Sequence, residues 1–597
     1  MSKKVLAVIL SLIMTFSVIA VPASAADITL PETSFENVIN MVIDRLISFV
    51  LSYLNQFWPG YEASWDTEDD YVADFFFEGD KSFDDTVSAD SKWKVGYAGA
   101  SLLEGVNVMN GQYFLAGSLE VVAGRVPSQI LDDQRVRAYA ISDGTGGTVV
   151  HAVIDGFGLP RGDVNIIRER LLEFAEKYNI TSINISVLHQ HSAIDTLGMN
   201  VPLLQALLTN TGNAAAGGII DSLKYQKNQD FMENLYTKTV YVIKRAVVNM
   251  KEGNLYYGSV DVSDYIRDKR DPQQINPNIN RLRFVPADGS AETWILEGAI
   301  HCTGNGAGGD VLTADYPYYI EKAIREEVGA NVVYVLGAQL AIGSRTVRLC
   351  LECQEVAVIT HADEHPDGIF EISCPSCGKK TTPDDDSDFT TEDALDYVAT
   401  VDAWYKMNTP EIDTYDFDLK DYGYTLAAKV MSIDPADEIK LDPILNIAHQ
   451  EVTLDVDNQI LTLAAREDIL NSVIVKSGNE YKLISEIGYM ELGGKVAVFL
   501  CPGEFDPLLV YGGPQSGDAA WSGDEWSLPA FVELTDCEYV MVYGLTNDHS
   551  GYVLRDNEYH SLLSENEEVN VISKTAGSTY VAAFIELLSS IEEATNA

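Results

Sequence analysis

Short, continuous runs of apolar residues alternate along the chain with longer stretches that have helical spacing. The continuous runs predict buried strands over Val136–Ile141, Thr148–Ile154, Ile183–Leu188, Thr293–Ile300, Val332–Leu336, Lys495–Leu500 and Tyr539–Val542. The helical spacing, opened by Asp, Pro or Ser, predicts helices over Asp163–Tyr178, Pro317–Val328 and Ser578–Ala594. This alternation predicts an α/β fold with a mixed sheet flanked by helices.

The first 25 residues have the three parts of a bacterial secretory signal. Lys3 and Lys4 precede an apolar run, Val5–Ile19, and a small-residue segment, Ala23–Ala25, follows it. The apolar run is shorter than a bilayer span, and no later segment offers about 18 uninterrupted apolar residues. The sequence therefore predicts a secreted protein whose contact with membranes is at most peripheral.

Residues 26–92 differ in pattern from the rest and predict an N-terminal helical and acidic leader. An amphipathic apolar stretch, Phe35–Phe57, is interrupted by Asp44 and Arg45, which argues against a membrane span. Packing on the main domain is the favoured interpretation of this stretch. Attachment to a membrane surface stays open as the alternative.

The composition narrows the range of partners. The chain has 597 residues, 46% of them hydrophobic, and a formal net charge of −50. It is long enough for a large core and for more than one domain. Like charges repel, so the net charge argues against nucleic acid and anionic lipid as ligands, and a neutral or cationic substrate is favoured. An acidic surface that only keeps the protein in solution is the simpler alternative.

Three of the nine histidines follow predicted strands. His189 and His191 come after Ile183–Leu188, and His301 comes after Trp294–Ile300. In open α/β sheets ligands bind beyond the carboxyl ends of strands, where Glu504 also lies. Two imidazoles and a carboxylate suit zinc and leave room for water. In an extended segment, His189 and His191 would point to the same face.

Four segments occur in an order that resembles a known family. They are Leu188-His189-Gln190-His191-Ser192, Ala299-Ile300-His301 with Asp315, Pro502-Gly503-Glu504-Phe505, and Gly544-Leu545-Thr546-Asn547 with Tyr552 and Tyr559. This ordered set resembles the catalytic domain of the neutral/alkaline ceramidases, which are zinc amidases. The resemblance runs over residues 93–597 and is weakest across the middle.

The resemblance implies a metal site and its surroundings. The implied zinc ligands are His189, His301, Glu504 and Tyr552. The other implied site residues are His191 in proton transfer, Arg267 or Tyr559 at the oxyanion, and Ser344. Arg270 is an alternative to Arg267, and a hydrogen bond that orients a neighbour is an alternative role for His191. A second ion near Asp155 or Asp315 is also left open.

The implied activity is zinc-dependent hydrolysis of the N-acyl bond of ceramide or a related small-molecule or lipid amide. The segment around Ser344 departs from the family at Ile342 and Arg345, and Ala193-Ile194 replaces Gly-Pro after Ser192. These changes alter the pocket wall but leave the metal ligands intact. Two alternatives remain: a zinc esterase or amidase on a non-lipid substrate, and a non-catalytic secreted or cell-surface binding protein.

Two CxxC pairs predict a zinc-ribbon-like insertion over residues 346–389. The four cysteines are Cys350, Cys353, Cys374 and Cys377, whose thiolates would hold a second, structural zinc. Disulfides compete with this interpretation in an exported protein. The insertion begins close to Ser344, which places it as a lid or a substrate-selecting wall. Cys302, Cys501 and Cys537 are expected to be buried small hydrophobes.

Overall fold

The computed structural model describes residues 65–596 except for 118–123, 199–228, 271, 304–308, 345–347, 351–355, 361–370, 374–379, 382–411, 414–418, 459–460, 463–464, 466–469, 479, 518–519, 521 and 560–567. The predicted signal, the Phe35–Phe57 stretch and Cys353, Cys374 and Cys377 lie outside the described residues. Side chains of residues 348–350, which include Cys350, are also outside the description. The ribbon and the helical leader therefore stay predictions.

The described strands are, in chain order, β1 (Lys94–Ser101), β2 (Gln129–Ile130), β3 (Arg135–Ser142), β4 (Thr148–Ile154), β5 (Ile180–Val187), β6 (Lys251–Asp261), β7 (Ile266–Asp268), β8 (Asn278–Pro286), β9 (Thr293–Gly298), β10 (Val311–Leu312), β11 (Asn331–Leu336), β12 (Ile342–Ser344), β13 (Arg348–Cys350), β14 (Val356–Thr360), β15 (Glu371–Ser373), β16 (Lys380–Thr381), β17 (Ile412–Asp413), β18 (Ile439–Leu441), β19 (Leu445–Asp455), β20 (Ile474–Ser477), β21 (Glu480–Leu492), β22 (Val496–Leu500), β23 (Glu504–Phe505), β24 (Tyr539–Tyr543) and β25 (Tyr552–Val553).

The described α-helices are α1 (Arg161–Glu169), α2 (Leu172–Tyr178), α3 (Gln229–Val248), α4 (Asp315–Glu327), α5 (Leu419–Met431), α6 (Pro507–Tyr511) and α7 (Ala576–Thr595). The helix predicted over Asp163–Tyr178 is thus two helices. The helical bonding tightens between them, because the Leu171 amide donates to the Arg168 carbonyl only three residues back. None of the helices in the described part of the chain has the length and apolar character needed to cross a membrane.

The chain divides into two compact units. One comprises Met1–Leu46, Thr346–Asp416 and His560–Val569, and the other comprises Ile47–Arg345, Phe417–Tyr559 and Asn570–Ala597. The first unit contains an antiparallel sheet in the order β16-β15-β14-β13-β17. All residues of the candidate site that are discussed below belong to the second unit.

Two sheets form the framework of the second unit. The larger has the order β11-β9-β8-β6-β1-β3-β4-β5, with β18 beside β6, and the smaller has the order β19-β21-β22-β24, with β20 beside β21. Both are mixed: β4–β5, β9–β11 and β22–β24 are parallel pairs, and the remaining pairs are antiparallel. Helix α3 packs on β1 and β3, and α7 packs on β19. The predicted mixed α/β fold is confirmed.

Each sheet packs its own hydrophobic core. Strand β4 is buried along its whole length, as expected for a central strand whose two faces are both covered. Val150 and Ile183 belong to the core of the larger sheet, and Phe499 and Phe584 belong to the core of the smaller sheet. In residues 65–92 the structure shows turns and isolated bridges, and Glu78 and Asp80 bond to the backbone of β19.

The three parallel pairs matter for function because their carboxyl ends lie together. The Gly544 amide donates to the Leu336 carbonyl over 2.8 Å, and the Gly337 amide donates to the Gly298 carbonyl. An isolated bridge joins Ser186 to Thr546. The segments that follow β5, β9, β11, β22 and β24 therefore share one edge, where a ligand site is expected in a sheet of this kind.

Candidate metal centre

Three side chains from different strand ends converge at this edge. His189 follows β5, His301 follows β9, and Glu504 begins the short strand β23 after β22. Glu504 Oε2 lies 3.2 Å from His189 Nε2 and 3.0 Å from His301 Nε2. The relative exposures are 3% for His189, 6% for His301 and 2% for Glu504. The three residues predicted from their strand-end positions are thus brought together.

The hydrogen bonds of the two imidazoles fix which nitrogen carries the hydrogen. His189 Nδ1 lies 2.8 Å from the Phe157 carbonyl oxygen, and His301 Nδ1 lies 3.0 Å from the Gln339 carbonyl oxygen. A carbonyl oxygen only accepts, so each Nδ1 donates. In the neutral ring Nε2 then has a lone pair, and in both residues this nitrogen faces the Glu504 carboxylate. Three electron-rich atoms point at one another.

A bound cation would remove the repulsion between these three atoms. Acceptors that meet in a buried place repel unless a proton or a metal ion lies between them. Around a tetrahedral zinc with ligand distances of about 2.0–2.1 Å, neighbouring ligand atoms are about 3.3 Å apart. The two distances to Glu504 Oε2 are close to this value. The residues therefore fit a zinc ion, and the carbonyl partners orient the imidazoles as they do around protein-bound metals.

Burial keeps the histidines of this edge neutral. It lowers the pKa of His189 to about 3, against the opposing charge of Glu504. It also lowers the pKa of His191 well below its usual value, with His189 and His301 adding to the effect. Burial lowers the pKa of His549 to about 4. A metal ligand must be a neutral imidazole, so these shifts favour metal binding near neutral pH.

His191 lies beside this cluster, but a turn in the backbone brings it there, and not the alternation of side chains along a strand. His189 has φ of 49°, a left-handed conformation that ends the extended path of β5, so simple alternation along a strand does not apply. The turn nevertheless brings the two rings together, with centroids 4.7 Å apart. Phe157 packs on both, stacked on His189 and edge-on to His191. Both ring nitrogens of His191 are buried, and neither has a hydrogen-bond partner among the residues that the structure describes.

Two solved structures share this architecture. Neutral ceramidase from Pseudomonas aeruginosa aligns with a TM-score of 0.54 and 14% sequence identity, over 84% of this chain and 75% of that chain. A ceramidase complexed with C2 aligns with a TM-score of 0.53 and 13% identity, over 84% of this chain and 76% of that chain. The chain has the ceramidase fold.

The ceramidase resemblance that the four segments predict is thereby confirmed for the fold. No family profile and no curated protein sequence matches the chain. At this level of identity a structural likeness establishes the fold alone, so the activity has to be argued from the site.

Within the ceramidase fold, Tyr552 and Tyr559 lie next to the cluster. Tyr552 is the register partner of Glu504 in the parallel pair β23–β25, and it is buried. Tyr559 packs in the same small hydrophobic cluster as Tyr552 and Leu340, with the Lys574 ammonium 5.0 Å from the centre of its ring. Tyr552 therefore lies beside Glu504, and Tyr559 belongs to the cluster that surrounds Tyr552.

The residues predicted for the oxyanion lie on another short strand pair. Arg267 is opposite Gly343 in the pair β7–β12, and Ser344 is opposite Ile266. The Ile342 carbonyl accepts from the His301 amide over 2.8 Å, so this pair adjoins the segment of His301. Arg267 is half-buried, whereas Arg270, the alternative, is buried and donates through Nη2 to the Glu558 carbonyl.

Asp155, one of two carboxylates considered for a second ion, has a structural role. It accepts from Arg137 Nη1 over 2.8 Å, from the Arg135 amide, and from Gln190 Nε2 over 2.9 Å. Gln190 stands between His189 and His191, so this carboxylate anchors the turn that carries both. The two carboxylate oxygens are already paired with cations and amides, which leaves the aspartate poorly suited to a metal.

Cys302 and Cys501 are buried next to the strand ends, as expected for small apolar residues. Burial raises the pKa of both thiols well above the usual value. Thiolate is the form that binds metals, so neither residue suits a role as a ligand.

Sequence reasoning missed His549. His189, Glu504 and His549 form a second group whose ligand atoms all lie within 4.8 Å of one another, beside the group of His189, His191 and His301. His549 follows the Asn547 segment at the end of β24, inside a stretch that was recognised for its glycine, asparagine and tyrosines. Its position after a strand, like that of His189, was the available signal.

Proposed function

We propose that this protein is a zinc-dependent amide hydrolase with His189, His301, Glu504 and Tyr552 as the side chains that hold the ion. The observation that carries the proposal is the convergence of two imidazole lone pairs and one carboxylate oxygen in a buried place. A zinc ion held in this way supplies Lewis acidity and makes water nucleophilic at neutral pH.

His191 is the proposed proton carrier. Its two ring nitrogens are buried without partners in the described part of the chain, and its ring centroid is 4.7 Å from that of His189 and 5.4 Å from that of His301. A neutral imidazole in this position accepts a proton from the attacking water and returns it to the leaving nitrogen of the amide. The competing role, a fixed hydrogen bond that orients a neighbour, is disfavoured because His191 has no such partner among the described residues.

The amide oxygen needs donors as negative charge develops on it. The guanidinium of Arg267 and the hydroxyl of Tyr559 are the proposed donors, and the hydroxyl of Ser344 is a further polar group on the same short strand pair as Arg267. Their proposed roles rest on the ceramidase resemblance and on the adjacency of β12 to His301.

The proposed substrate is ceramide or a related lipid amide with no net negative charge. The fold supports a lipid amide, and the net charge of −50 disfavours anionic substrates. A protein with a degenerate pocket that only binds its ligand would not need the imidazole of His191 beside the metal centre.

Two further proposals come from the sequence. The predicted signal would export the protein, and Cys350, Cys353, Cys374 and Cys377 would hold a second, structural zinc.

The test combines metal content with hydrolysis. Purified full-length protein is analysed for zinc, and a fluorescent ceramide is compared with a simple acyl amide as substrate. The proposal expects zinc, faster hydrolysis of the ceramide, and loss of both activity and one equivalent of zinc in His301→Ala. Hydrolysis of only the simple amide would indicate a non-lipid amidase. A wild-type protein with neither pocket zinc nor hydrolysis would contradict the proposal and favour a binding protein.

A further inference from the structure

His549 completes a second group of potential ligands around the same centre. The ligand atoms of His189, Glu504 and His549 all lie within 4.8 Å of one another, and the rings of His189 and His549 are stacked with centroids 5.6 Å apart. His549 Nδ1 is buried and has no hydrogen-bond partner within the described residues. A buried polar atom without a partner needs an explanation, and the position of His549 beside His189 and Glu504 points to metal binding.

The two groups of ligands share His189, and this shared residue limits the number of ions. His189 Nδ1 donates to the Phe157 carbonyl, so only Nε2 can bind a metal. One nitrogen lone pair serves one ion. The groups His189–His191–His301 and His189–Glu504–His549 therefore describe the surroundings of a single ion, and they do not form two separate sites.

The backbone holds His549 firmly in this position. Asp548 Oδ1 accepts from the amides of His549, over 2.8 Å, and Arg161, over 2.9 Å, while Oδ2 accepts from the Ser485 hydroxyl. Asn547, with φ of 68°, bonds to Ile185 through backbone and side chain. The turn is thus tied to β5, the strand that delivers His189.

Gly158 gives the imidazole of His549 its room. A Cβ atom at this position would lie 2.9 Å from His549 Nδ1 and 3.1 Å from Cγ. Gly158 is the residue after Phe157, and the carbonyl oxygen of Phe157 orients His189. The same short segment therefore positions one imidazole and leaves space for the other.

We propose that His549 is a ligand of the ion that His189 and Glu504 bind. The inference rests on the proposed function, because it concerns the same centre, and it adds one nitrogen donor to the ligand set taken from the ceramidase resemblance. The segment Asn547-Asp548-His549 then has two tasks: it ties β24 to β5, and it supplies a ligand.

The test measures metal binding directly. Chelator-stripped full-length wild type, His549→Gln and His301→Ala are titrated with zinc against a chromophoric chelator, and the visible spectrum of each Co²⁺ form is recorded. Loss of groups that merely orient a ligand weakens metal binding by about 10–100-fold, so loss of a ligand should cost at least about tenfold. We expect this weakening in His549→Gln together with a changed Co²⁺ spectrum.

An unchanged zinc affinity and a superimposable Co²⁺ spectrum in His549→Gln would overturn the inference. If wild type binds no zinc at the centre, the proposed function itself fails. If wild type binds zinc, His301→Ala loses it and His549→Gln retains it, only the role of His549 fails.

Gly158→Ala provides a second variant if His549→Gln does not fold. The added methyl group displaces the imidazole while all proposed ligands are retained, so we expect a shifted Co²⁺ spectrum and weaker zinc binding. Gly146→Ala is the matched control, because a Cβ there would approach only Asp143 Oδ1, at 3.9 Å. Identical spectra for the two glycine variants would contradict the proposal.

Discussion

Two buried glutamates in the second unit have opposite surroundings. Glu486 accepts from Arg168 Nη1 and Nη2 over 2.7 and 2.8 Å, and from Asn547 Nδ2 over 3.0 Å. Glu504 accepts from Gln339 Nε2, but the same oxygen also faces the lone pairs of His189 and His301. Arg168 neutralises Glu486, whereas Glu504 faces two imidazole nitrogens, an arrangement that suits a bound cation.

The partners of a buried carboxylate indicate whether it has a structural role or belongs to a binding site. Burial raises the pKa of Glu486, but the charge and hydrogen bonds of Arg168 outweigh it and hold the pKa well below its usual range. The Arg168 guanidinium is fully used, because it also donates to the Ile183 carbonyl. This pair stabilises the framework and supports Asn547, two residues before His549. Around Glu504, unbalanced acceptors indicate a binding site.

The largest expected effect is that of Glu504→Gln on catalysis. The substitution removes the negative charge from the centre, so zinc binds more weakly and several kcal/mol of transition-state stabilisation are lost. We expect kcat/KM for amide hydrolysis to fall by at least about 10⁴-fold, which is about 5.5 kcal/mol. Retention of zinc and of the wild-type rate would contradict the role assigned to Glu504.

His191→Gln separates proton transfer from metal binding. General acid–base catalysis contributes about 10²–10⁴-fold, so we expect kcat to fall by this factor. Zinc content should remain at the wild-type level, because His191 lies beside the ion and is not proposed to bind it. Loss of zinc in this variant would show instead that His191 is a ligand.

Glu486→Gln is the matched substitution in the framework. Breaking one side of a buried ion pair leaves Arg168 without its counter-charge and costs about 3–5 kcal/mol in free energy of unfolding. Urea denaturation of the metal-free protein measures this loss. In the same assay Glu504→Gln should not destabilise the protein, since its amide replaces a repulsive carboxylate. Equal losses in the two variants would remove the distinction between the regions.

A smaller effect is expected on the pH dependence of the free energy of unfolding, through His151 in the larger sheet. Burial lowers the pKa of His151 to about 3, and its Nε2 lies 2.6 Å from the Ser186 hydroxyl oxygen. Because the folded pKa is below the unfolded value of about 6.5, the unfolded chain binds the proton first as pH falls. This contribution to stability is complete above pH 6.5 and is lost progressively toward pH 3.

Between pH 7 and pH 5, His151 alone should reduce the free energy of unfolding by about 2 kcal/mol. Denaturation in the presence of chelator at both pH values measures the change in wild type and in His151→Gln. The variant should lose less stability over this interval. The same pH dependence in both proteins would contradict the assignment.

The fold was predictable where strands are continuously apolar. All seven predicted strands are present within a few residues of their expected bounds, because strands that are largely buried on both faces have continuous apolar sequences. Strands such as β8 escaped prediction because Arg281 and Arg283 interrupt its apolar pattern. Their side chains pair with Glu438 inside the protein, a contact that connects residues more than 150 positions apart.

The part of the candidate site that could be predicted consists of residues that directly follow strands. His189, His301 and Glu504 meet because parallel strands end at a common edge, which sequence reasoning can anticipate. The left-handed turn at His189 and the packing of the His549 turn against β5 were not predictable in this way, although His549 also follows a strand. Both depend on tertiary contacts, with Phe157 in one case and with Asp548, Arg161 and Ser485 in the other.

Anomalous diffraction at the zinc edge, from crystals of the full-length protein grown without chelator, tests the central claim most directly. The account predicts a strong peak at about 2.0–2.1 Å from His189 Nε2, His301 Nε2 and a Glu504 carboxylate oxygen, separate from any peak at the cysteines. A well-ordered structure without a peak between these three atoms, or with zinc bound only elsewhere in the chain, would contradict it.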